Sequence, residues 1–131
     1  MKKIGTINQP LSAVIAGMGH GDMLVIADCG LPIPAEVPRI DLALTAGIPG
    51  FLQTLAVIQQ ELQVESAVIA TEMPQSSPEL YTKLMPMLAG IEIEEMNHEQ
   101  FKELTQRSVA VVRTGECTPY ANIILKSGVT F

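Results

Sequence analysis

The chain carries two histidines, and each stands beside residues that could do proton-transfer or hydroxyl-binding chemistry. His20 lies in Gly17-Met18-Gly19-His20-Gly21-Asp22. Flanking glycines give the ring little side-chain cover, so a ligand could reach an imidazole that gives or takes a proton near neutral pH. The plainer reading is a loop histidine satisfied by a backbone carbonyl. Asp28, in Asp28-Cys29-Gly30-Leu31-Pro32, follows an apolar run. A carboxylate at the end of a buried strand must be paired or hydrogen-bonded. It could accept two hydroxyl hydrogens, act as a base, or cap its own loop. His98 follows Asn97, which with Gln100 makes a capping-box pattern. That puts His98 in a first helical turn, a place for hydrogen bonding rather than for positive charge. Lys102 lies four residues on, along the same helix face; both could equally be solvated side chains. Tyr120 and Asn122 are two apart at a predicted strand start, with Ala121 between them. They are expected to share a face and offer a phenol beside a carboxamide. Glu116 is a candidate ion-pair partner for Arg113 or Arg39.

Other chemistries find less support. A phosphate loop needs strand, glycines, helix, whereas here a helix precedes the glycines and a strand follows. No Gly-x-Ser-x-Gly elbow occurs. The two Cys and two His lack metal-ligand spacing, so no metal is expected. Cys29 has no evident electropositive setting that would make it a thiolate.

The elements that must position these residues can be read in turn. Asn8 caps a helix over Gln9–Gly17. Asp22–Asp28 and Val64–Thr71 are buried strands, and Arg39–Leu44 is a short one. Leu31–Pro38, with three prolines, is an extended loop. Pro49 opens a helix to about Leu62, and Met73–Pro78 is a loop leading into a helix that ends near Leu88. Ile91–Met96 alternates as a half-exposed edge strand does. Asn97 to about Arg107 is a helix. Val109–Thr114 and Ala121–Lys126 are strands joined by too short a link for a crossover helix. They are expected to be antiparallel neighbours or a loop-linked pair. Together these predict one α/β domain over residues 1–131, three-layered α/β/α, with a mixed, mostly parallel sheet of five or six strands.

Composition narrows the partners. Lys and Arg number eight against fourteen Asp and Glu, a net charge of −6, which disfavours nucleic acid and anionic membrane surfaces. Mean hydropathy is +0.30, yet no apolar run approaches the roughly 18 residues of a membrane span. The Met1-Lys2-Lys3 start and the apolar patch at Leu11–Met18 do not make a signal peptide, because Thr6–Pro10 separates them. The expectation is a cytosolic chain with reduced thiols. Its surplus apolar surface points to contacts between subunits.

Five separated strings carry a more specific signal. They are Met18-Gly19-His20-Gly21-Asp22, Asp28-Cys29-Gly30-Leu31-Pro32-Ile33-Pro34, Arg39-Ile40-Asp41-Leu42-Ala43-Leu44, His98-Glu99-Gln100-Phe101-Lys102 and Gly115-Glu116-Cys117-Thr118-Pro119-Tyr120-Ala121-Asn122. With the terminal Gly128–Phe131, they resemble the ribose pyranase/fucose mutarotase family over nearly the whole chain. The departure falls around Leu88–Ile91. The Leu31–Pro34 loop and the His98 string resemble the ribose branch. The resemblance implies a cytosolic isomerase interconverting ring forms of free D-ribose without a cofactor. It implies a homo-oligomer, often a decamer of two stacked rings, with sites between subunits. It assigns the acid/base to His20 and sugar binding to Asp28, His98, Tyr120, Ala121 and Asn122, with a lesser part for Lys102. The competing readings are a non-catalytic sugar-binding module associated with uptake and an L-fucose mutarotase.

Overall fold

The computed structural model describes residues 1–131. Helix α1 (Gln9–Gly17) begins as its sequence demands: the Asn8 side chain accepts from the Leu11 N–H at 3.0 Å, and Pro10 sits in the first turn. The chain then runs β1 (Met23–Ala27), β2 (Arg39–Asp41), α2 (Phe51–Ile58), β3 (Val64–Ala70), α3 (Met73–Ser76), α4 (Pro78–Met87), β4 (Glu92–Met96), α5 (His98–Thr105), β5 (Ala110–Arg113) and β6 (Ile123–Ser127). No helix is long and apolar enough to cross a membrane.

The strands form one six-stranded sheet in the order β2-β5-β1-β6-β3-β4. All pairings are parallel except those of β6, which runs antiparallel to both β1 and β3. The sheet is therefore mixed and mostly parallel, as expected. β5 and β6 are loop-linked but not neighbours, because β1 lies between them. Successive residues of β1 alternate between two cores. Leu24 and Ile26 pack with Leu11, Phe51, Leu55 and Leu84 of the helices on one face, and Val25 and Ala27 pack with Phe101 of α5 on the other. Burial on both faces explains the unbroken apolar run. Edge strand β4 half-buries only Ile93 and Met96 and leaves Glu92, Glu94 and Glu95 exposed, as its three glutamates require.

Several boundaries differ from the sequence reading: β2 stops at Asp41 rather than Leu44, β6 runs Ile123–Ser127 rather than Ala121–Lys126, and three further differences have local causes. Pro49 precedes α2 rather than opening it: the Gln53 side chain accepts from the Gly50 N–H at 3.1 Å, making Gly50 the cap. The same helix ends at Ile58, where bonds from Gln60 to Val57 and from Glu61 to Ile58 tighten the last turn toward Leu62. Part of the expected loop at Met73–Pro78 is one helical turn, anchored by fully buried Met73.

Candidate active site

Parallel strands bring their carboxyl ends to one edge of the sheet, and the antiparallel β6 brings its beginning to the same edge. Asp28 follows β1, Glu72 follows β3, His98 follows β4, and Tyr120 to Asn122 precede β6. A cleft of about 370 Å³ lies here, lined by Asp28, Cys29, His98, Glu116, Thr118 and Tyr120 among others. Small-ligand sites typically span roughly 300–1,000 Å³.

Asp28 is held from behind. Its N–H donates to Asn122 Oδ1 at 2.8 Å, and its Oδ2 accepts from Asn122 Nδ2 at 2.8 Å. Its Oδ1 accepts from the Gly30 N–H at 2.9 Å, closing the turn. Asn122 is fully buried, so the expected platform of Tyr120 beside Asn122 is corrected. The chain reaches Tyr120 in the left-handed region, φ 59°, before β6 begins at Ile123. The strand alternation assumed for residues 120–122 therefore does not apply. Tyr120 lines the cleft and Asn122 lies beneath Asp28. Ala121 is fully buried among core residues.

His98 opens α5, where the Asn97 side chain accepts from the Gln100 N–H at 2.9 Å. The His98 N–H donates to both carboxylate oxygens of Glu72, at 3.0 and 3.1 Å. This bond leads the contacts that hold the Glu72 carboxyl below the usual carboxylate range. The His98 ring meets Tyr120 edge-on, centroids 5.1 Å apart, and stacks on Phe101 at 6.2 Å. His98 Nδ1 is buried and has no hydrogen-bond partner in the chain. Lys102 instead pairs with Glu99 at 2.7 Å and does not line the cleft.

Glu116 is not an ion-pair partner of Arg113 or Arg39. Its Oε1 accepts from Thr118 Oγ1 at 2.7 Å and from the Cys117 and Thr118 N–H groups, and its Oε2 accepts from the Phe51 N–H at 3.2 Å. Burial raises this carboxyl's pKa, but those bonds outweigh it and hold the group below the usual range. Arg113 spends its guanidinium on Asp41, at 3.1 and 3.2 Å, and on the Cys29 carbonyl at 3.2 Å. Gly115 is confined by the neighbouring loop: a Cβ there would meet Thr45 O at 2.4 Å and Ile48 O at 2.5 Å. Sequence reading missed Gly115, Glu72 and the loop-pinning part of Glu116. The atoms that confine Gly115, the His98 N–H that Glu72 receives and the Phe51 N–H that Glu116 receives lie tens of residues away, so no local pattern marks them. No group of three or more His, Cys, Asp or Glu side chains is gathered for a metal ion.

His20 stands apart from this cleft. It precedes β1, beside the end of β6 and the start of β3; Gly21 N–H donates to Ser127 O at 2.9 Å, and His20 Nε2 meets Glu65 Oε2 at 2.6 Å. The side chain is 58% exposed, and the other ring nitrogen is left to solvent. Gly21 takes φ +85°, which suits glycine in this turn. At about 3.3 Å per residue, the stretch from Asp22 to Asp28 spans about 20 Å. One chain therefore does not bring His20 to Asp28.

An α/β fold with polar groups converging in a cleft at the carboxyl ends of its strands defines a protein with a small-ligand site. The chain belongs to the RbsD / FucU transport protein family, whose model matches residues 1–130. It is 61% identical to a D-ribose pyranase of Coprothermobacter proteolyticus, covering both chains fully. The Bacillus subtilis RbsD structure complexed with D-ribose matches with a TM-score of 0.97, at 47% identity over all of both chains. A Streptococcus pneumoniae fucose mutarotase in complex with L-fucose matches with a TM-score of 0.81, at 28% identity over all of both chains.

Proposed function

We infer that this chain is a D-ribose pyranase, an isomerase interconverting the pyranose and furanose forms of free D-ribose. The observation that carries it is end-to-end likeness at 61% identity to a D-ribose pyranase, in a chain with a polar cleft ready for hydroxyls. The chemistry needs little. A base takes the anomeric hydroxyl proton while an acid protonates the ring oxygen, the bond from C1 to that oxygen breaks, and the open aldehyde forms. A different hydroxyl then attacks C1, and the proton transfers run in reverse. A positioned acid/base contributes typically about 10²–10⁴-fold.

His20 is the acid/base in this reading. Its Nε2 is fixed against Glu65 and its second nitrogen is free to exchange protons with a ligand. Asp28, His98 and Tyr120 orient the sugar, with buried Asn122 acting through Asp28 and buried Ala121 joining it to Tyr120: Asp28 presents a braced carboxylate, and His98 Nδ1 has unused hydrogen-bonding capacity. Lys102 has at most an outer part, because its ammonium is committed to Glu99. Since His20 lies about 20 Å along β1 from Asp28, a neighbouring subunit supplies it, and the working form is a cytoplasmic homo-oligomer, a decamer of two stacked rings. Exposed Ile7, Leu44, Ile48 and Val57 give such contacts apolar surface. NMR exchange rates over ribose, fucose and galactose test the reading. Ribose exchange should be accelerated most; binding without acceleration, or faster exchange with fucose, would refute it.

A further inference from the structure

Cys29 and Cys117 are 88 residues apart in sequence, yet their sulfurs lie 3.5 Å from each other on the wall of the cleft. Both are free thiols, Cys117 exposed and Cys29 half-buried. The Cys29 N–H donates to Glu116 O at 2.8 Å, so the two backbones run side by side, as cross-linked cysteines require. Cys29 directly follows Asp28, and Cys117 lies on the segment that ends in Tyr120.

We propose that Cys29 and Cys117 form a peroxide-responsive thiol pair that closes to a disulfide and slows the sugar chemistry of the adjoining cleft. Hydrogen peroxide is the oxidant. The sulfur of exposed Cys117 attacks one peroxide oxygen; the S–O bond forms, the O–O bond breaks, and the second oxygen leaves as water with the thiol proton. Cys29 then attacks the Cys117 sulfenic acid. The S–S bond forms, and the hydroxyl leaves as a second water with the Cys29 proton. The contact with Cys117, together with burial, pushes the Cys29 thiol pKa up, which suits it to resolve rather than to meet peroxide first. Bond formation brings the sulfurs to about 2.05 Å. That draws the turn behind Asp28 toward the segment carrying Tyr120. Misplacing groups by about 1 Å can cost about 10²-fold in rate.

The inhibitory half rests on the ring-exchange reading above; the disulfide does not. The intact protein is treated with stoichiometric hydrogen peroxide, alkylated and weighed, and ribose exchange is followed by NMR before and after dithiothreitol. The expected result is loss of two hydrogens, about 2 Da, per chain, a Cys29–Cys117 peptide, and exchange slowed about 10- to 100-fold, restored by the reductant. Cys117→Ser, compared with its own untreated state, should keep its rate under peroxide. Surviving thiols, oxidation beyond sulfenic acid, links between chains, or an intrachain disulfide with unchanged exchange would each overturn the proposal. Reduced protein that does not accelerate exchange would refute the ring-exchange reading instead, while the mass still reports the pair.

Discussion

Asn122 holds Asp28 from two sides, accepting its backbone N–H and donating to its carboxylate, each at 2.8 Å. The carboxamide is fully buried, so it acts on a ligand through the carboxylate it orients. Asn122→Ala would strand the Asp28 N–H and one carboxylate oxygen, at a cost of about 1–3 kcal/mol. Ribose exchange should fall about 10²-fold through misplacement, and urea unfolding should shift to lower midpoint. Exchange at the wild-type rate would show that Asp28 needs no such brace.

The separation of His20 from Asp28 along β1 makes a prediction about assembly. His20→Ala and Asp28→Ala should each be inactive alone. Co-expressed and purified together, they should regain about a quarter of the wild-type sites by random assortment, because some sites draw both intact residues from different chains. No recovery in hybrids proven by mass to be mixed would place both groups of a site on one chain.

Acid should weaken the fold through Glu72 and Glu116. Both carboxyls sit below their usual range in the folded chain, Glu72 first through the His98 N–H, and Glu116 through bonds that outweigh its burial. A group with a lowered folded pKa contributes stability above its unfolded value, and loses it as pH falls through the folded pKa. Urea midpoints should therefore be flat near neutrality and decline below about pH 4. Glu116→Gln should lower the neutral midpoint and flatten the decline; an unchanged profile would contradict the assignment.

Gly115 is closed to any side chain by Thr45 O and Ile48 O. Gly115→Ala should destabilise by about 1–3 kcal/mol, the range for forcing atoms into packed structure. It should also disturb exchange, because Glu116 and Thr118 follow directly. Thermal unfolding of the variant reads the first effect, and wild-type stability would contradict it.

Much of this architecture was legible because local signals and tertiary needs agree. Asn8 and Asn97 cap the helices they announce. The apolar run at Met23–Ala27 is a strand covered on both faces, and the alternation at Ile91–Met96 marks the sheet edge. The strand-end position of Asp28 and the helix-start position of His98 mark both as candidates, and the fold brings both to the wall of one cleft. What escaped depends on contacts distant in sequence. The left-handed turn at Tyr120 breaks the alternation that would pair it with Asn122. Arg113 finds Asp41 because β2 and β5 are parallel neighbours, which leaves Glu116 to the loop and to α2. Nothing local brings Cys29 to Cys117.

The most direct test is NMR saturation transfer between the pyranose and furanose signals of D-ribose, with catalytic amounts of wild type and of His20→Ala. Wild type should transfer saturation well beyond buffer alone. His20→Ala, with unchanged circular dichroism, should fall back to the buffer rate. Wild type indistinguishable from buffer, or His20→Ala as fast as wild type, would contradict acid/base ring interconversion by this protein.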